Sequence, residues 1–399
     1  MTERLYYEQT YLREFDAAVE ACERRGDGVW LLLDASAFYP TSGGQPFDTG
    51  SLRWQGGSAR VTDVECDARG VWHKIEGGCP EPGEAVRGEI DWARRFDHMQ
   101  QHGGEHMLAG AIWRLYQGRT IGLHLGAEVS SIDVVLPDGR TRFTDEEIAR
   151  LEETVNGWIQ QDALCRCWFP TEEELKTLPL RKAPSVKEHV RVVAFGDFEM
   201  CACGGTHPST SGQVGLVKVV ETLPAHGMAR VTFVCGMRAV RFAQRMCRAA
   251  RDAAALLSCG AQELPQTAAR LKEQLAQEHA AKEALRRESA LKEIAALRLR
   301  AERLPGGGRL IAASLPGADR DTLRDAASSL IEEADVYALL RAPDAPGEPL
   351  LFARGAALET DMGVLLRASG AKGGGRPDFA QGAGGAQCLS RAAETLRKG

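Results

Sequence analysis

Apolar and polar residues follow three successive patterns along this chain. Over residues 1–90, short apolar runs alternate with turns. Val29-Trp30-Leu31-Leu32-Leu33, Val61-Thr62-Asp63-Val64 and Val71-Trp72-His73-Lys74-Ile75 read as strands, separated by the breaks Gly56-Gly57 and Gly77-Gly78. Many short strands with close turns predict a small β-barrel. Asp91 to Leu115 reads as a helix whose apolar stripe continues through Leu108, Ile112 and Leu115. A strand is expected around Glu128–Leu136, then a helix from Asp145 to about Asp162 with Thr144 as N-cap. Val190–Ala194, Val214–Glu221 and Met228–Cys235 read as further strands. Residues 91–235 therefore form an α+β domain.

The pattern changes from Met237 to Leu304. Glycine nearly disappears, and Ala, Leu, Glu, Lys and Arg dominate, with one break at Ser258-Cys259-Gly260 and Pro265. Two helices are expected. Glu283–Arg287 and Glu288–Lys292 are i,i+4 pairs in the stabilising order. Leu264, Leu271 and Leu285 share a heptad position that Glu278 and Lys292 interrupt, which predicts a helical hairpin or short coiled coil. Pro305-Gly306-Gly307-Gly308 marks a boundary. Beyond it, strands at Arg309–Ser314, Val336–Arg341 and Leu350–Ala353 alternate with helices at Asp321–Ala334 and Ser390–Leu396, giving a C-terminal α/β domain over 305–399.

Composition narrows this picture. At 399 residues, with 44% hydrophobic and 26% charged residues, the chain has the make-up of a multidomain globular protein. No stretch approaches the roughly 20 apolar residues that a membrane span requires. The first residues are charged and aromatic, unlike a secretory leader. Together with 11 scattered cysteines, this predicts reduced thiols and a cytoplasmic location. The net charge of −6 argues against a general nucleic-acid coat protein but leaves local basic patches to make phosphate contacts. Three are candidates: Lys176, Arg181, Lys182, Lys187 and Arg191; the helix over 266–304; and the tail bearing Arg367, Lys372, Arg376, Arg391, Arg397 and Lys398.

Two spaced pairs carry the chemistry. His102 and His106 stand at i,i+4 on the expected helix, so one face presents both imidazoles. His98 and His102 have the same spacing and offer the pair one turn earlier. In Cys203-Gly204-Gly205-Thr206-His207 a Gly-Gly turn lets the thiol and the imidazole fold towards a common point. Such a nitrogen and sulfur set suits zinc better than magnesium or calcium. Four protein ligands close a tetrahedron and favour a structural role; three leave a place for water. Asp97 and Glu105 are candidates to orient the histidines.

The same strings resemble the editing domain of alanyl-tRNA synthetases and its freestanding relatives, the alanyl-tRNA editing proteins (long form). The H-x3-H pair followed by Cys-Gly-Gly-Thr-His carries most of the likeness and favours His102 and His106 over His98. Phe38–Pro46, with Gly43-Gly44-Gln45, is similar to the family's aromatic-Pro and Gly-Gly-Gln loop. Leu123–Asp133 is similar to the strand lining the editing pocket. Gly373-Gly374-Gly375-Arg376-Pro377-Asp378 is similar to the C-terminal domain those synthetases share with DHH-type phosphoesterases. Thr41, Ser42, Gly103 and Ser131 depart from the family pattern without removing a metal ligand.

The resemblance implies a zinc-dependent hydrolase, with one zinc per chain on His102, His106, Cys203 and His207. It would deacylate tRNA(Ala) mischarged with serine or glycine, acting in trans. Gln45, His124 and Ser131 are the candidate catalytic residues, and Thr41, Ser42, Gly43 and Gly44 the candidate substrate contacts. Strict alternation along one strand would put His124 and Ser131 on opposite faces, so a bulge near Gly126 is expected if both line the pocket. Gly374, Gly375 and Arg376 are candidate tRNA contacts, as a phosphate-cradling loop with an arginine. A homodimer through the C-terminal region is implied as well. The competing reading is a zinc-stapled tRNA-binding protein without catalysis.

Overall fold

The computed structural model describes every residue except Asp27 and Ser185, and every side chain among these except those of Arg286, Arg287, Ala290 and Leu291. It is a mixed α+β structure that divides into two compact units, Met1–Ala253 and Ala254–Gly399.

The first unit begins with the expected barrel. Strands Glu14–Arg25, Gly28–Leu33, Val71–Gly77, Gly57–Cys66, Gly50–Trp54 and Ala85–Ile90 follow one another around it, and pairing of the last with the first closes it. Phe15, Val19, Leu31, Leu33, Leu52, Val61, Ile75, Val86 and Ile90 fill the interior. Glu14–Arg25, rich in Ala, Glu and Arg, lacks strand propensity. Its extended form comes from pairing on both sides, with Gly28–Leu33 and with Ala85–Ile90.

The barrel leads into the helix Trp92–Tyr116, N-capped by Asp91, whose side chain accepts from the Arg94 N–H. Nearly every residue from His98 to Ile112 is buried, so this is a helix packed on all sides. Against it lie a four-stranded antiparallel sheet, in the order Val217–Ala225, Met228–Cys235, Ser130–Val135, Arg119–Leu125, and a three-stranded sheet of Cys165–Trp168, Val192–Phe195 and Glu199–Ala202. Glycines in the helix interior cost about 1 kcal/mol each in propensity, and the packing accounts for them. A Cβ at Gly104 would collide with Cys235 Sγ, one at Gly103 would stand 3.0 Å from Val214, and one at Gly110 would stand 2.7 Å from Glu199 Oε2. The helix Asp145–Gln160 covers the same core, and Thr144 and Glu147 form a reciprocal capping box.

A fully buried ion pair fastens the helix to the barrel. Arg95 is bound to Asp48, which also accepts from the Tyr39 N–H at 2.7 Å, and Arg95 Nη1 donates to Thr10 O at 3.0 Å. The barrel and the α+β region thus belong to one unit.

The expected pair of helices is present as Gly236–Leu256 and Leu264–Leu299, broken where Ser258 adopts a positive φ of 51°. Glu288 and Lys292 are 2.7 Å apart; Glu283–Arg287 involves a side chain outside those described. In the second unit, six strands run in the order Glu302–Arg303, Arg309–Ser314, Val336–Arg341, Pro349–Arg354, Phe379–Ala383, Lys372–Arg376, flanked by helices Arg320–Leu330, Met362–Ala368 and Ala386–Lys398. Here the structure corrects an expectation. Gly373-Gly374-Gly375 is not a phosphate-cradling loop but an edge strand, paired residue for residue with Ala380–Gly382. Pro377 and Asp378 provide the hairpin turn that folds it back, and Arg376 pairs with Asp378 at 3.3 Å. Among the described residues no helix is long and apolar enough to cross a membrane.

Candidate metal centre and its cavity

His102, His106, Cys203 and His207 converge. Their ligand atoms all lie within 4.8 Å of one another. Cys203 Sγ stands 3.4 Å from His102 Nε2 and 3.3 Å from His207 Nε2. A zinc tetrahedron with bonds of about 2.0–2.3 Å has edges of roughly 3.3–3.8 Å, so these separations fit a single ion. His98 is not in the group; it lies one turn away, buried, with Nδ1 unpartnered.

The surroundings favour metal binding chemically. Burial, reinforced by the nearby Arg191, lowers the pKa of His102 to about 3, and burial holds those of His106 and His207 well below the usual histidine value. All three imidazoles are neutral and keep a lone pair to donate. Without an ion, burial pushes the Cys203 thiol up to about 12; a bound cation would favour the thiolate.

Several contacts fix how the ligands point. Gln45 is fully buried, and its Oε1 accepts from His102 Nδ1 at 2.9 Å and from the Thr206 N–H at 3.1 Å. The bond assigns the proton to Nδ1 and leaves Nε2 free for a metal. Gln45 Nε2 donates to Thr206 Oγ1 at 2.7 Å. The Gln45 amide is thus spent on the ligand shell rather than on orienting a water in the cavity. His106 Nδ1 lies 3.4 Å from Cys201 Sγ, a thiol that burial keeps protonated. Arg191, 4% exposed, donates to Cys203 O at 3.1 Å and Gly205 O at 2.8 Å and so holds the ligand turn. A Cβ at Gly205 would collide with the His102 ring, so only glycine lets the turn approach this closely.

The Gly-Gly-Gln loop comes in from the barrel side. Ser42 and Gln45 exchange backbone hydrogen bonds, and Gly43 and Gly44 between them have φ of +58° and +86°. This is a two-residue turn of the primed type, which demands positive φ at both positions. A Cβ at Gly44 would meet Leu123 O at 2.6 Å, while Gly43 faces open space.

A cavity of about 620 Å³ opens onto His102, His106 and Cys203, and Tyr39, Ser42, Gly43 and Glu105 share its wall. Glu105 does not bond a ligand histidine. Its carboxyl faces the cavity, and burial raises its pKa to about 7, opposed by Arg181. Asp97 is bound by Arg238 at 2.9 Å instead of by an imidazole. Thr41 does not line the cavity; its hydroxyl accepts from the Phe47 N–H at 3.2 Å within the loop.

His124 and Ser131 are placed differently from expectation. Residues 119–135 are two antiparallel strands rather than one, and Ser131 pairs directly with His124. The pair therefore shares a face with no bulge near Gly126; the register shift falls at Asp133/Val134. Neither His124 nor Ser131 lines the cavity, whereas Thr120, Ile121, Gly122 and Leu123 of the same hairpin form part of its wall.

The first basic patch is also divided. Arg181 is withdrawn into an ion pair with Glu199 at 2.6 Å and Arg191 into the ligand turn, while Lys176, Lys182 and Lys187 remain exposed. Arg191, Cys201 and Gln45 as ligand-orienting residues were not legible in the sequence. An arginine amid the valines of Val190-Arg191-Val192-Val193 was the one available signal, because a charge inside an apolar strand must be paired.

The family model described as tRNA synthetases class II (A) matches residues 2–94, and that of the threonyl and alanyl tRNA synthetase second additional domain matches residues 190–232. The alanine–tRNA ligase of Pyrococcus furiosus is 32% identical over 396 residues, 96% of this chain and 42% of that protein. The alanyl-tRNA editing protein AlaX-L of Pyrococcus horikoshii is 35% identical over 246 residues, 60% of this chain and 59% of that protein. This chain thus spans 59% or less of these two relatives. Among solved structures, the C-Ala domain of the Aquifex aeolicus alanyl-tRNA synthetase aligns over 25% of this chain and 95% of that one, with 19% identity and a TM-score of 0.23. Two family models matched in order, with these relatives similar over 96% and 60% of this chain, support an alanyl-tRNA synthetase-like editing protein.

Proposed function

We propose that this protein is a zinc-dependent hydrolase that removes serine, and glycine as a second substrate, from mischarged tRNA(Ala) in trans. The observation that carries the reading is a neutral three-imidazole, one-thiol ligand set beside a cavity of about 620 Å³, room enough for an aminoacyl group. Its relatives are named for alanyl-tRNA editing and alanyl-tRNA synthesis. Zinc on His102, His106, Cys203 and His207 would supply Lewis-acid attraction for an amine or carbonyl oxygen of the substrate.

The chain's own groups do the rest. Gln45 and Cys201 hold His102 and His106 in a single orientation. Gly43 leaves its backbone open at the cavity wall, where the terminal adenosine of a tRNA can approach. Ser42 stands beside it on the cavity wall, and its hydroxyl would be the group that meets the amino acid. An aminoacyl ester is activated, so positioning and shelter from bulk water account for much of the required rate. The exposed Lys182, also on the cavity wall, with Lys176 and Lys187 favours the tRNA backbone.

The test is deacylation of seryl-, glycyl- and alanyl-tRNA(Ala) by zinc-loaded and chelator-treated protein. Fast release of serine, slow release of alanine and loss of turnover with the metal support the reading. Zinc retained with no release of any amino acid would instead establish a zinc-stapled tRNA-binding protein.

A further inference from the structure

We infer that Cys22 and Cys79 form a modification site: a dithiol that a low-molecular-weight disulfide converts into a reversible intramolecular disulfide across the mouth of the barrel. The two residues are far apart in sequence, yet their Sγ atoms stand 2.8 Å apart. A disulfide bond is about 2.0 Å long, so closure requires an approach of roughly 0.8 Å.

The fold explains why these thiols meet. Strands Val71–Gly77 and Ala85–Ile90 are not neighbours in the barrel, so the connection over residues 78–84 must cross its open end. Its two ends are pinned: the Gly78 N–H donates to Ser58 O, and the Gly83 N–H donates to Val19 O. Cys79 lies on this crossing and is exposed. Opposite it, the strand Glu14–Arg25 has a register shift between Val19 and Ala21. The extra residue switches the alternation. Before the shift Phe15 and Val19 point inward; after it Cys22 packs against the barrel core, while Ala21 packs against the outer cluster of Trp30, Leu32 and Trp72. Without the shift Cys22 would face away from the mouth.

The chemistry balances. The thiolate of Cys79, the more accessible sulfur, attacks one sulfur of the oxidant RSSR; that S–S bond breaks and RS⁻ leaves. Cys22 then gives its proton to solvent and attacks Cys79 Sγ, the mixed disulfide breaks, and a second RS⁻ leaves. The protein loses two electrons, and RSSR is reduced to two RSH. Burial raises the Cys22 thiol to about 11, which suits it to the second, intramolecular step rather than to first attack. Neither sulfur belongs to the metal centre.

The experiment incubates the zinc-loaded 399-residue protein with glutathione and glutathione disulfide at stepped ratios. Free thiols are then blocked, peptides are mapped by mass spectrometry, and unfolding is followed thermally. The expected result is a linked Cys22–Cys79 peptide pair and a melting temperature higher by roughly 5–10 °C, since a bridge of this span restricts the unfolded chain. Dithiothreitol reverses both. Cys79→Ser and Cys22→Ala, each melting with the reduced parent, should abolish the shift. A stable glutathione adduct on Cys79 beside an unmodified Cys22 overturns the inference. So does cross-linking of Cys22 or Cys79 to other cysteines in place of each other.

Discussion

Gly205 stands against the imidazole of His102, where no side chain fits, whereas Gly374 stands on an edge strand with only Arg367 Nη1 nearby at 3.6 Å. Both belong to glycine runs that read alike in sequence. At Gly205 the missing Cβ sets the distance between two metal ligands. At Gly374 an added Cβ would make only an ordinary contact with Arg367 Nη1, so the missing side chain constrains no neighbour. A glycine run is therefore informative only together with what faces it. The first unit shows the same contrast in its ion pairs: Arg95–Asp48 is fully buried, while Arg376–Asp378 in the second unit is exposed.

Breaking the comparison at its strongest point gives the largest effect. Gly205→Ala should displace His102 and remove zinc, with hydrolysis of seryl-tRNA(Ala) falling by about 100-fold or more. Gly374→Ala should leave zinc content and turnover at the parent level and change tRNA affinity by no more than about twofold. Metal analysis and deacylation on the two purified variants decide it. Loss of tRNA binding in Gly374→Ala would restore the phosphate-cradle reading of the C-terminal run.

The ion pairs come next. Arg95→Met leaves the Asp48 carboxylate buried without its partner and should cost about 3–5 kcal/mol. All tryptophans of the chain precede residue 254, so urea unfolding followed by their fluorescence reads the first unit alone. Arg376→Ala should leave the second unit's transition, read by circular dichroism, where it was. Equal midpoint shifts in the two variants would show that burial does not separate the pairs.

What the sequence disclosed follows the same division. The histidine helix, the Cys-Gly-Gly-Thr-His turn and the barrel strands over 29–33, 61–64 and 71–75 were legible because each is set locally, by periodicity or by ligand spacing. Glu14–Arg25 was hidden because its composition favours a helix and only pairing on both sides extends it. His124 and Ser131 were put on one strand because nothing in Gly126–Val129 announces a reversal as Asn-Gly does. They lie instead on two paired strands, and neither lines the cavity. Gln45, Cys201 and Arg191 act through contacts from distant segments, which no single stretch of sequence displays.

Acid should unfold the barrel through His73. This imidazole is fully buried, lies 2.8 Å from Ser36 Oγ, and has its pKa lowered to about 4 by burial, against the carbonyl of Leu31. A depressed histidine pKa means that the unfolded chain binds the proton more readily. The stabilisation is complete above about pH 6.5 and is lost as pH falls towards 4, amounting to about 3 kcal/mol. Melting temperature by tryptophan fluorescence should therefore fall through that window, and His73→Gln should flatten the slope. An unchanged slope would assign the acid limb to other groups.

Gln45 tests whether orientation, and not only ligand identity, makes the metal centre. Gln45→Ala removes the acceptor that fixes the His102 tautomer and should weaken zinc by about 10–100-fold. Gln45→Glu keeps an acceptor and should retain most of the affinity. Competition with a chromophoric chelator measures both. Parent-level affinity in the alanine variant would leave Thr206 and Arg191 as sufficient supports for the ligand turn.

The smallest effect concerns specificity and separates the two candidate hydroxyls. Ser42 lines the cavity, whereas Ser131, paired with His124 in the adjoining hairpin, does not. A site that hydrogen-bonds the serine hydroxyl loses discrimination when its partner group is removed, since the substrate hydroxyl is then no better bound than a methyl group. Ser42→Ala should therefore narrow the ratio of seryl- to alanyl-tRNA(Ala) hydrolysis by several-fold at unchanged zinc content. Ser131→Ala should leave that ratio within about twofold of the parent, because Ser131 is not part of the cavity wall. If Ser131→Ala narrowed the ratio and Ser42→Ala did not, substrate would have to reach beyond this wall, and the cavity beside His102, His106 and Cys203 would not be the discriminating pocket.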